Sequence, residues 1–299
     1  MVQVYPVTRV RGSKGTRMHP DLLPRAALGA GTMTDLPALH LAGVYRRREK
    51  ASLARIWENI FDWEHLAHLH NDSFADCTLI ENGRWGWRVS LTPKGAASQT
   101  IEMRADRMTG HYTSSTIEGT GAGTEIRVAL SPRDTDDVDV EVEFHIPEER
   151  PQRLAVIGAS YVAAYARLWD EDEAMMQARE RALARRRMPD FSVPPLDLGE
   201  TQAVRAALPL KFDFGGSPFR LVDLDGELVA HSTICPHWLG PLDEAPVIGG
   251  QVRYLWHGHC FDVASGACAA HPVLKLGPAP EVSLIEGRVV VAWPVGAAV

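Results

Sequence analysis

Three side chains in one short segment have the types and spacing of a metal site. Asp62, His65 and His70 follow the pattern Asp-x-x-His-x-x-x-x-His. Two imidazoles and a carboxylate can hold iron on one side and leave its other positions open for oxygen and substrate. The segment therefore predicts two ligands of a mononuclear iron site, with a carboxylate ligand supplied from elsewhere in the chain.

The spacing of the two histidines restricts the local structure. A helix advances about 100° per residue, so Asp62 and His65 share a face, whereas His65 and His70 lie about 140° apart. Both imidazoles can face one ion only if the helix ends or is distorted between them, and residues 71–73 (Asn-Asp-Ser) provide a stop signal. The alternative is a solvated helix end whose histidines bind nothing.

The carboxylate is predicted on a long helix that starts near residue 151 and ends near residue 187. On this helix Asp172 falls within about 20° of Tyr161, in a largely apolar sector. Burying a lone carboxylate costs several kcal/mol unless a cation or hydrogen-bond donors face it. An ion pair with Arg179, about 10 Å along the axis, is the alternative. The predicted metal ligands are therefore His65, His70 and Asp172.

A second group of candidate ligands lies in the last quarter of the chain. Cys235 and His237 are two residues apart, and His257 follows after a loop. Three of the four cysteines fall in this region. Without an export signal, such clustering favours metal chemistry over a disulfide framework.

Composition narrows the classes of function. The chain has 299 residues, 45% of them hydrophobic, which suits two globular domains. A net charge of -7 and the lack of a Lys/Arg-rich run argue against a nucleic-acid partner. No apolar stretch approaches the roughly 20 residues of a membrane span. The basic N-terminus lacks the apolar core of a signal peptide. We therefore expect no membrane partner and a cytoplasmic location.

The order of the elements predicts a sheet wrapped around a helix. A helix is expected from about residue 50 to residue 70, and residues 84–146 alternate polar and apolar positions, as antiparallel strands do. With the long helix behind them, these strands leave a cavity between sheet and helix. Three prolines between residues 188 and 200 indicate a linker, and short strands follow it.

The first motif resembles the mononuclear-iron motif of the Rieske-type ring-hydroxylating oxygenases. The matching residues are Glu58, Asn59, Asp62, His65 and His70. Glu171 and Asp172 resemble that family's carboxylate-ligand segment. The resemblance implies iron ligands at His65, His70 and Asp172. It also places Asp62, with Asn59, among the catalytic residues, because in the family this Asp links an iron ligand to a cluster ligand of the neighbouring subunit.

Two loops near the C-terminal end resemble those of a Rieske domain. The matching positions include Cys235, His237 and Gly240, then Trp256, His257 and Gly258. A Rieske [2Fe-2S] centre takes two Cys on one iron and two His on the other. The resemblance implies cluster ligands at Cys235, His237 and His257. The fourth position, three residues before His257, holds Tyr254.

Tyr254 leaves three alternatives for this domain. The phenol would ligate only after losing a proton that it normally holds until about pH 10. Cys260, three residues after His257, would substitute only after the loop is rearranged. Otherwise the domain holds no ordinary cluster, or a different metal at Cys235, His237 and His257. The [2Fe-2S] cofactor therefore stays open.

The resemblance implies an α+β chain: a helix-grip (START-like) catalytic domain followed by a small all-β Rieske-like domain. The expected boundaries are an N-terminal extension at 1–40, the catalytic domain at 41–188, a linker at 189–200 and the Rieske-like domain at 201–299. In the oxygenase family the Rieske domain comes first, so the order here is reversed.

The implied function is that of a non-haem iron oxygenase. Mononuclear Fe(II) and dioxygen would hydroxylate or demethylate a small organic substrate, aromatic compounds included. Electrons from a reductase or ferredoxin would arrive through His237 or His257 and then Asp62. The family also implies a homo-oligomer, with a trimer favoured. The alternative is a helix-grip small-molecule-binding protein with a degenerate, cluster-free Rieske-like domain.

Overall fold

Seven strands form one antiparallel sheet in the first part of the chain, and the computed structural model describes residues 38–296. The strands are β1 (His40–Glu49), β2 (Phe74–Gly83), β3 (Gly86–Pro93), β4 (Gln99–Asp106), β5 (His111–Glu118), β6 (Glu125–Asp134) and β7 (Asp137–Ile146). Their order in the sheet is β1-β7-β6-β5-β4-β3-β2. The proposed extension at 1–40 lies almost wholly outside the described residues, and β1 begins at its last position.

Alternation in the sequence explains which face of the sheet is buried. Along β7, residues 138, 140, 142, 144 and 146 are all buried and apolar, while the residues between them are partly exposed. Successive side chains in a strand point to opposite faces. One face therefore forms the core, and the long helix covers it.

Four helical segments accompany the strands within the described residues. They are α1 (Leu53–Phe61), a 3-10 helix (Glu64–Ala67), α2 (Pro151–Arg185) and α3 (Thr201–Ala206). The expectation of one helix over residues 50–70 is wrong, because α1 ends at Phe61 and Asp62 takes an extended conformation (φ -87°, ψ 94°). Ser52 caps the start of α1 by accepting a hydrogen bond from the backbone N–H of Arg55.

Helix α2 crosses the concave face of the sheet. Tyr161 stacks on Phe144 with ring centroids 5.2 Å apart, and Tyr165 meets the same ring edge-on at 5.0 Å. A bulge in β1 brings the carbonyl of Ala42 against Gly158, where a Cβ would lie 1.9 Å from that oxygen. The helix can approach the edge strand this closely only because residue 158 has no side chain.

The second part of the chain is all β apart from α3. Its strands are β8 (Leu196–Glu200), β9 (Leu210–Phe214), β10 (Ser217–Leu224), β11 (Glu227–Ser232), β12 (Val247–Ile248), β13 (Gln251–Arg253), β14 (Cys260–Asp262), β15 (Glu281–Ile285) and β16 (Arg288–Ala292). They form three three-stranded sheets. Strand β8 lies inside the stretch predicted as a linker, because the prolines precede the strand and do not interrupt it.

The predicted fold class is confirmed: an α+β chain in which a helix-grip part precedes a small all-β part. Within residues 38–296, no helix is both long and apolar enough to cross a membrane.

The contact between α2 and β1 gives a prediction about stability. Gly→Ala normally favours an exposed helix, but in Gly158→Ala the new methyl group meets the Ala42 carbonyl. We expect Gly158→Ala to lower the free energy of unfolding by about 1–3 kcal/mol, as overpacking does. Chemical denaturation measures this. Ser160→Ala, at an exposed position of the same helix, is the control and should be close to neutral. A Gly158→Ala variant as stable as the control would contradict the proposed close packing.

Candidate metal centre

Three ligand-type side chains meet between the 3-10 helix and α2. His70 Nε2 lies 3.2 Å and His65 Nε2 3.5 Å from the same oxygen, Asp172 Oδ1. The two imidazole centroids are 5.1 Å apart at 75°. Metal–nitrogen and metal–oxygen bonds of about 2.0–2.2 Å bring ligand atoms on one ion to such separations. The structure therefore brings together the three predicted ligands in a geometry that one ion can bridge.

The end of α1 explains how His65 and His70 face the same point. The chain turns at Asp62, continues as the 3-10 helix and closes a further turn in which the His70 carbonyl accepts hydrogen bonds from the N–H groups of Ser73 and Phe74. An uninterrupted helix would separate the two imidazoles. The break predicted between them is present, but it begins earlier, at the end of α1.

Each histidine also faces a second carboxylate. His70 Nδ1 lies 2.5 Å from Glu171 Oε2, and His65 Nδ1 lies 3.5 Å from Asp62 Oδ2. Ligating histidines usually donate their other ring N–H to such a group, which orients the ring and sets the tautomer. Burial lowers the pKa of His70, but Asp172 and Glu171 outweigh burial, and the pKa is raised.

Asp172 is largely buried and ionised. Burial raises the pKa of its carboxyl group, but His70, His65 and a hydrogen bond from Asn59 lower it further, so the net pKa lies below the usual value. Within the part of the chain that the structure describes, Asp172 Oδ1 accepts no hydrogen bond. The sequence alternative, an ion pair with Arg179, is not formed, because Arg179 Nε lies 2.7 Å from Glu58 Oε2. A buried, unpaired carboxylate oxygen beside two imidazoles fits a metal ligand.

A cavity of about 430 Å³ opens beside these three residues. Its lining is mostly apolar and aromatic and includes Trp87, Ile101, Met103, Tyr112, Tyr161 and Tyr165. Volume and lining are those of a pocket for a small organic molecule. The candidate ion site therefore lies in the wall of a substrate-sized cavity.

Asp62 connects this centre to the all-β part of the chain. Its Oδ2 lies 2.5 Å from His257 Nε2, and the same carboxylate faces His65. Burial raises the pKa of Asp62, but the contacts with His257 and His65 outweigh burial and lower it. The resemblance implied such a bridge between neighbouring subunits, whereas here both residues belong to one chain.

The residues of the Rieske-like loops match only part of the ligand set of a [2Fe-2S] cluster. The Nδ1 atoms of His237 and His257 are buried and have no hydrogen-bond partner within residues 38–296. The two rings are 4.5 Å apart at 88°, as two ligands of one iron can be. Cys235 is fully buried nearby. The fourth position fails, because the buried ring of Tyr254 lies against Gly240.

Neither of the two substitutes considered for the fourth ligand is in place. Burial raises the pKa of Tyr254, which keeps the phenol neutral. The Cys260 Sγ lies 3.6 Å from the carbonyl of Gly258. These residues therefore do not fit a [2Fe-2S] cluster, which needs two thiolates on one of its irons.

Two neighbouring residues were missed in the sequence. Glu64, just before His65, and His259, two residues after His257, form a group with His237 in which three ligand atoms lie within 4.8 Å of one another. Burial with neighbouring histidines lowers the pKa of His237 to about 3 and that of His259 to about 4, so both are neutral at pH 7. The His-x-His spacing at 257–259 was the available signal.

Comparisons with known proteins match a segment near the C-terminal end of the chain to one family model. Residues 195–281 match the family model of the Rieske [2Fe-2S] domain. A comparison with curated proteins gives no match. The ferredoxin of carbazole 1,9a-dioxygenase from Nocardioides aromaticivorans is similar in structure, with 24% identity and a TM-score of 0.30 over 34% of this chain and 100% of that chain.

The first half is similar to helix-grip structures. A START superfamily protein from Mycobacterium smegmatis has 15% identity and a TM-score of 0.37 over 44% of this chain and 97% of that chain. The Zhui aromatase/cyclase from a Streptomyces species has 12% identity and a TM-score of 0.40 over 48% of this chain and 98% of that chain.

The contacts of Asp62 with His257 and His65, which join the helix-grip part to the all-β part, can be tested on metal-free protein. Asp62→Ala leaves His257 Nε2 without its hydrogen-bond partner and removes the carboxylate that faces His65 Nδ1. Unsatisfied buried groups of this kind cost about 1–3 kcal/mol each. We therefore expect a loss of at least that size in the free energy of unfolding, measured by denaturant titration. Asp76→Ala, at an exposed aspartate of β2, is the control. Equal stability of the two variants would show that the bridge contributes nothing.

Taken together, the family match and the strand topology show a chain in which a Rieske-type domain, at residues 195–281, follows a helix-grip part.

Proposed function

We propose that this chain is a non-haem iron oxygenase that uses dioxygen to hydroxylate or demethylate a small organic compound. The observation that carries the proposal is the buried group of His65, His70 and Asp172 in the wall of the cavity. Two imidazoles and one carboxylate on one side of an iron ion leave its other positions free. Iron bound there would supply the activation of dioxygen next to the substrate.

The surrounding residues prepare this site for a divalent ion. Glu171 accepts a hydrogen bond from His70 Nδ1, and Asp62 lies 3.5 Å from His65 Nδ1, so both Nε2 atoms are directed at the same space. His70 and His65, with a smaller contribution from Asn59, lower the pKa of the third ligand, Asp172, against the effect of burial and keep it ionised. A rigid, partly preassembled ligand set lowers the energetic cost of ordering the site when the ion binds.

The cavity determines the class of substrate. Its walls carry aromatic and aliphatic side chains, and burial raises the pKa values of Tyr112 and Tyr165, so both phenols stay neutral. Such walls exclude water and accept a compound with an apolar body of modest size. Aromatic compounds fit this description. The hydroxyl groups of the tyrosines are available to orient a polar substituent.

Each dioxygen that is activated requires two electrons. Because the Rieske-like loops do not fit a [2Fe-2S] cluster, we propose that a reductase or ferredoxin supplies the electrons, or that the substrate does so itself. The contact between Asp62 and His257 gives the all-β part a direct connection to a candidate iron ligand. In this proposal the contact between Asp62 and His257 holds His65 in position.

Removal of the carboxylate ligand tests the proposal. Asp172→Ala removes the only carboxylate of the triad, so Fe(II) affinity at this site should fall by more than about 100-fold while the protein stays folded. Anaerobic Fe(II) titration with circular dichroism measures both. Asp170→Ala is the matched control: its side chain is 75% exposed and pairs with Arg47 on the opposite side of α2. If Asp172→Ala binds iron as the control does, the triad is not the iron site.

A second function is favoured by one observation. The ring of Tyr254 replaces a cluster ligand, as expected of a helix-grip small-molecule-binding protein whose Rieske-type domain has only a structural role. The two functions differ in iron content. The oxygenase should be isolated anaerobically with about one iron at the His65 site and should consume dioxygen when reduced in the presence of substrate. The binding protein would take up ligand in the cavity without iron.

A further inference from the structure

We propose a second metal site at the boundary between the two parts of the chain, formed by Glu64, His237 and His259. It would hold one divalent first-row transition metal ion in place of an iron–sulfur cluster. The site goes beyond the proposed function, because it uses none of the three residues assigned to the oxygenase iron.

The geometry is that of ligands around one ion. His259 Nε2 lies 3.7 Å from Glu64 Oε2, too far for a hydrogen bond but close to the spacing of ligands that share an ion. The His237 and His259 rings are 4.7 Å apart at 87°. One ligand atom from each of the three residues falls within 4.8 Å of the others. The His65–His70 pair has nearly the same ring arrangement, 5.1 Å at 75°.

The burial of His259 and His237 is an independent reason to expect a bound ion. The side chain of His259 is only 5% exposed, and among the described residues its Nε2 has no hydrogen-bond partner although it points at Glu64. Within the same residues the buried Nδ1 of His237 is also unpaired. Leaving such nitrogens without a partner costs about 1–3 kcal/mol each. A bound cation would remove that cost for the nitrogens that it coordinates.

The donor set selects the kind of ion. Imidazole suits Zn²⁺, Cu²⁺, Ni²⁺ and Fe²⁺, whereas Mg²⁺ and Ca²⁺ prefer oxygen ligands alone. No thiolate belongs to the group. Glu64 is 31% exposed, which leaves one side open to a water ligand. The ion would also join the 3-10 helix of the helix-grip part to two loops of the Rieske-type domain.

The site differs from the cluster that the family pattern describes. That pattern uses His257, whose Nε2 here lies 2.5 Å from Asp62. It uses neither His259 nor Glu64. Variants at His257 and His259 therefore separate the two possibilities.

Metal counting on the full-length chain tests the proposal. Apo protein is titrated anaerobically with Co²⁺, bound ions are counted, and the visible spectrum is recorded. Wild type should bind two Co²⁺ per chain. His259→Ala and Asp172→Ala should each bind one, and the double variant none. Glu64→Gln in the Asp172→Ala background should weaken the remaining ion at least tenfold. In the Asp172→Ala background, His257→Ala should still bind the one remaining ion, and circular dichroism checks folding of every variant.

The other outcomes are distinct. A wild type that binds one ion, lost in Asp172→Ala and kept in His259→Ala, would overturn the second site and leave the oxygenase site intact. One ion lost only in His259→Ala would support the second site and overturn the first. Loss of the second ion in His257→Ala with retention in His259→Ala, a thiolate-to-cobalt charge-transfer band, or acid-labile sulfide in the purified protein would each overturn the second site.

Discussion

The buried carboxylate of Asp172 needs a cation or hydrogen-bond donors beside it, and the rest of the helix-grip part meets this need. It lies in the apolar face of α2, where an isolated charge would be costly by several kcal/mol. Arg179 does not neutralise it, because that side chain pairs with Glu58. Two imidazoles and Asn59 face it instead, and their arrangement leaves room for an ion. The sheet, the break after α1 and the close packing of α2 on β1 all serve to keep these groups together.

Carboxylates and imidazoles alternate from this centre into the all-β part. Asp172 faces His65, His65 faces Asp62, and Asp62 contacts His257. Because the sequence of contacts lies within one chain, it does not depend on a neighbouring subunit. The helix-grip part and the Rieske-type domain are thereby connected where both metal sites are proposed. A substitution of Asp62 should therefore affect both His65 in the first part and His257 in the second.

Much of this could be predicted from sequence, for physical reasons. Asp172 was identified because helical periodicity places it among apolar residues, and the two histidines were identified by type and spacing. The need for a break between His65 and His70 also followed from helix geometry. The position of that break did not, because only the extended conformation of Asp62 reveals it. Strand β8 was missed because the three prolines before it indicated a linker.

Other features depend on tertiary contacts that no local pattern contains. No local sequence pattern marks Glu64 as a possible ligand, yet the fold places it beside His237 and His259. His68 lies between His65 and His70 in the sequence. Its ring packs so closely against Gly258 that a Cβ at residue 258 would lie 2.4 Å from it. The packing of the Tyr254 ring against Gly240 could not be predicted from the sequence either. Contacts between residues almost 200 positions apart are set by how the two parts meet.

The central claim is that one ion is held jointly by two histidines and one aspartate. Anomalous diffraction at the iron edge, on crystals of Fe(II)-loaded protein grown without oxygen, tests it most directly. The account predicts a peak within bonding distance of His65 Nε2, His70 Nε2 and Asp172 Oδ1. An iron-loaded protein with no peak there, or with iron bound to only one of the three, would contradict it.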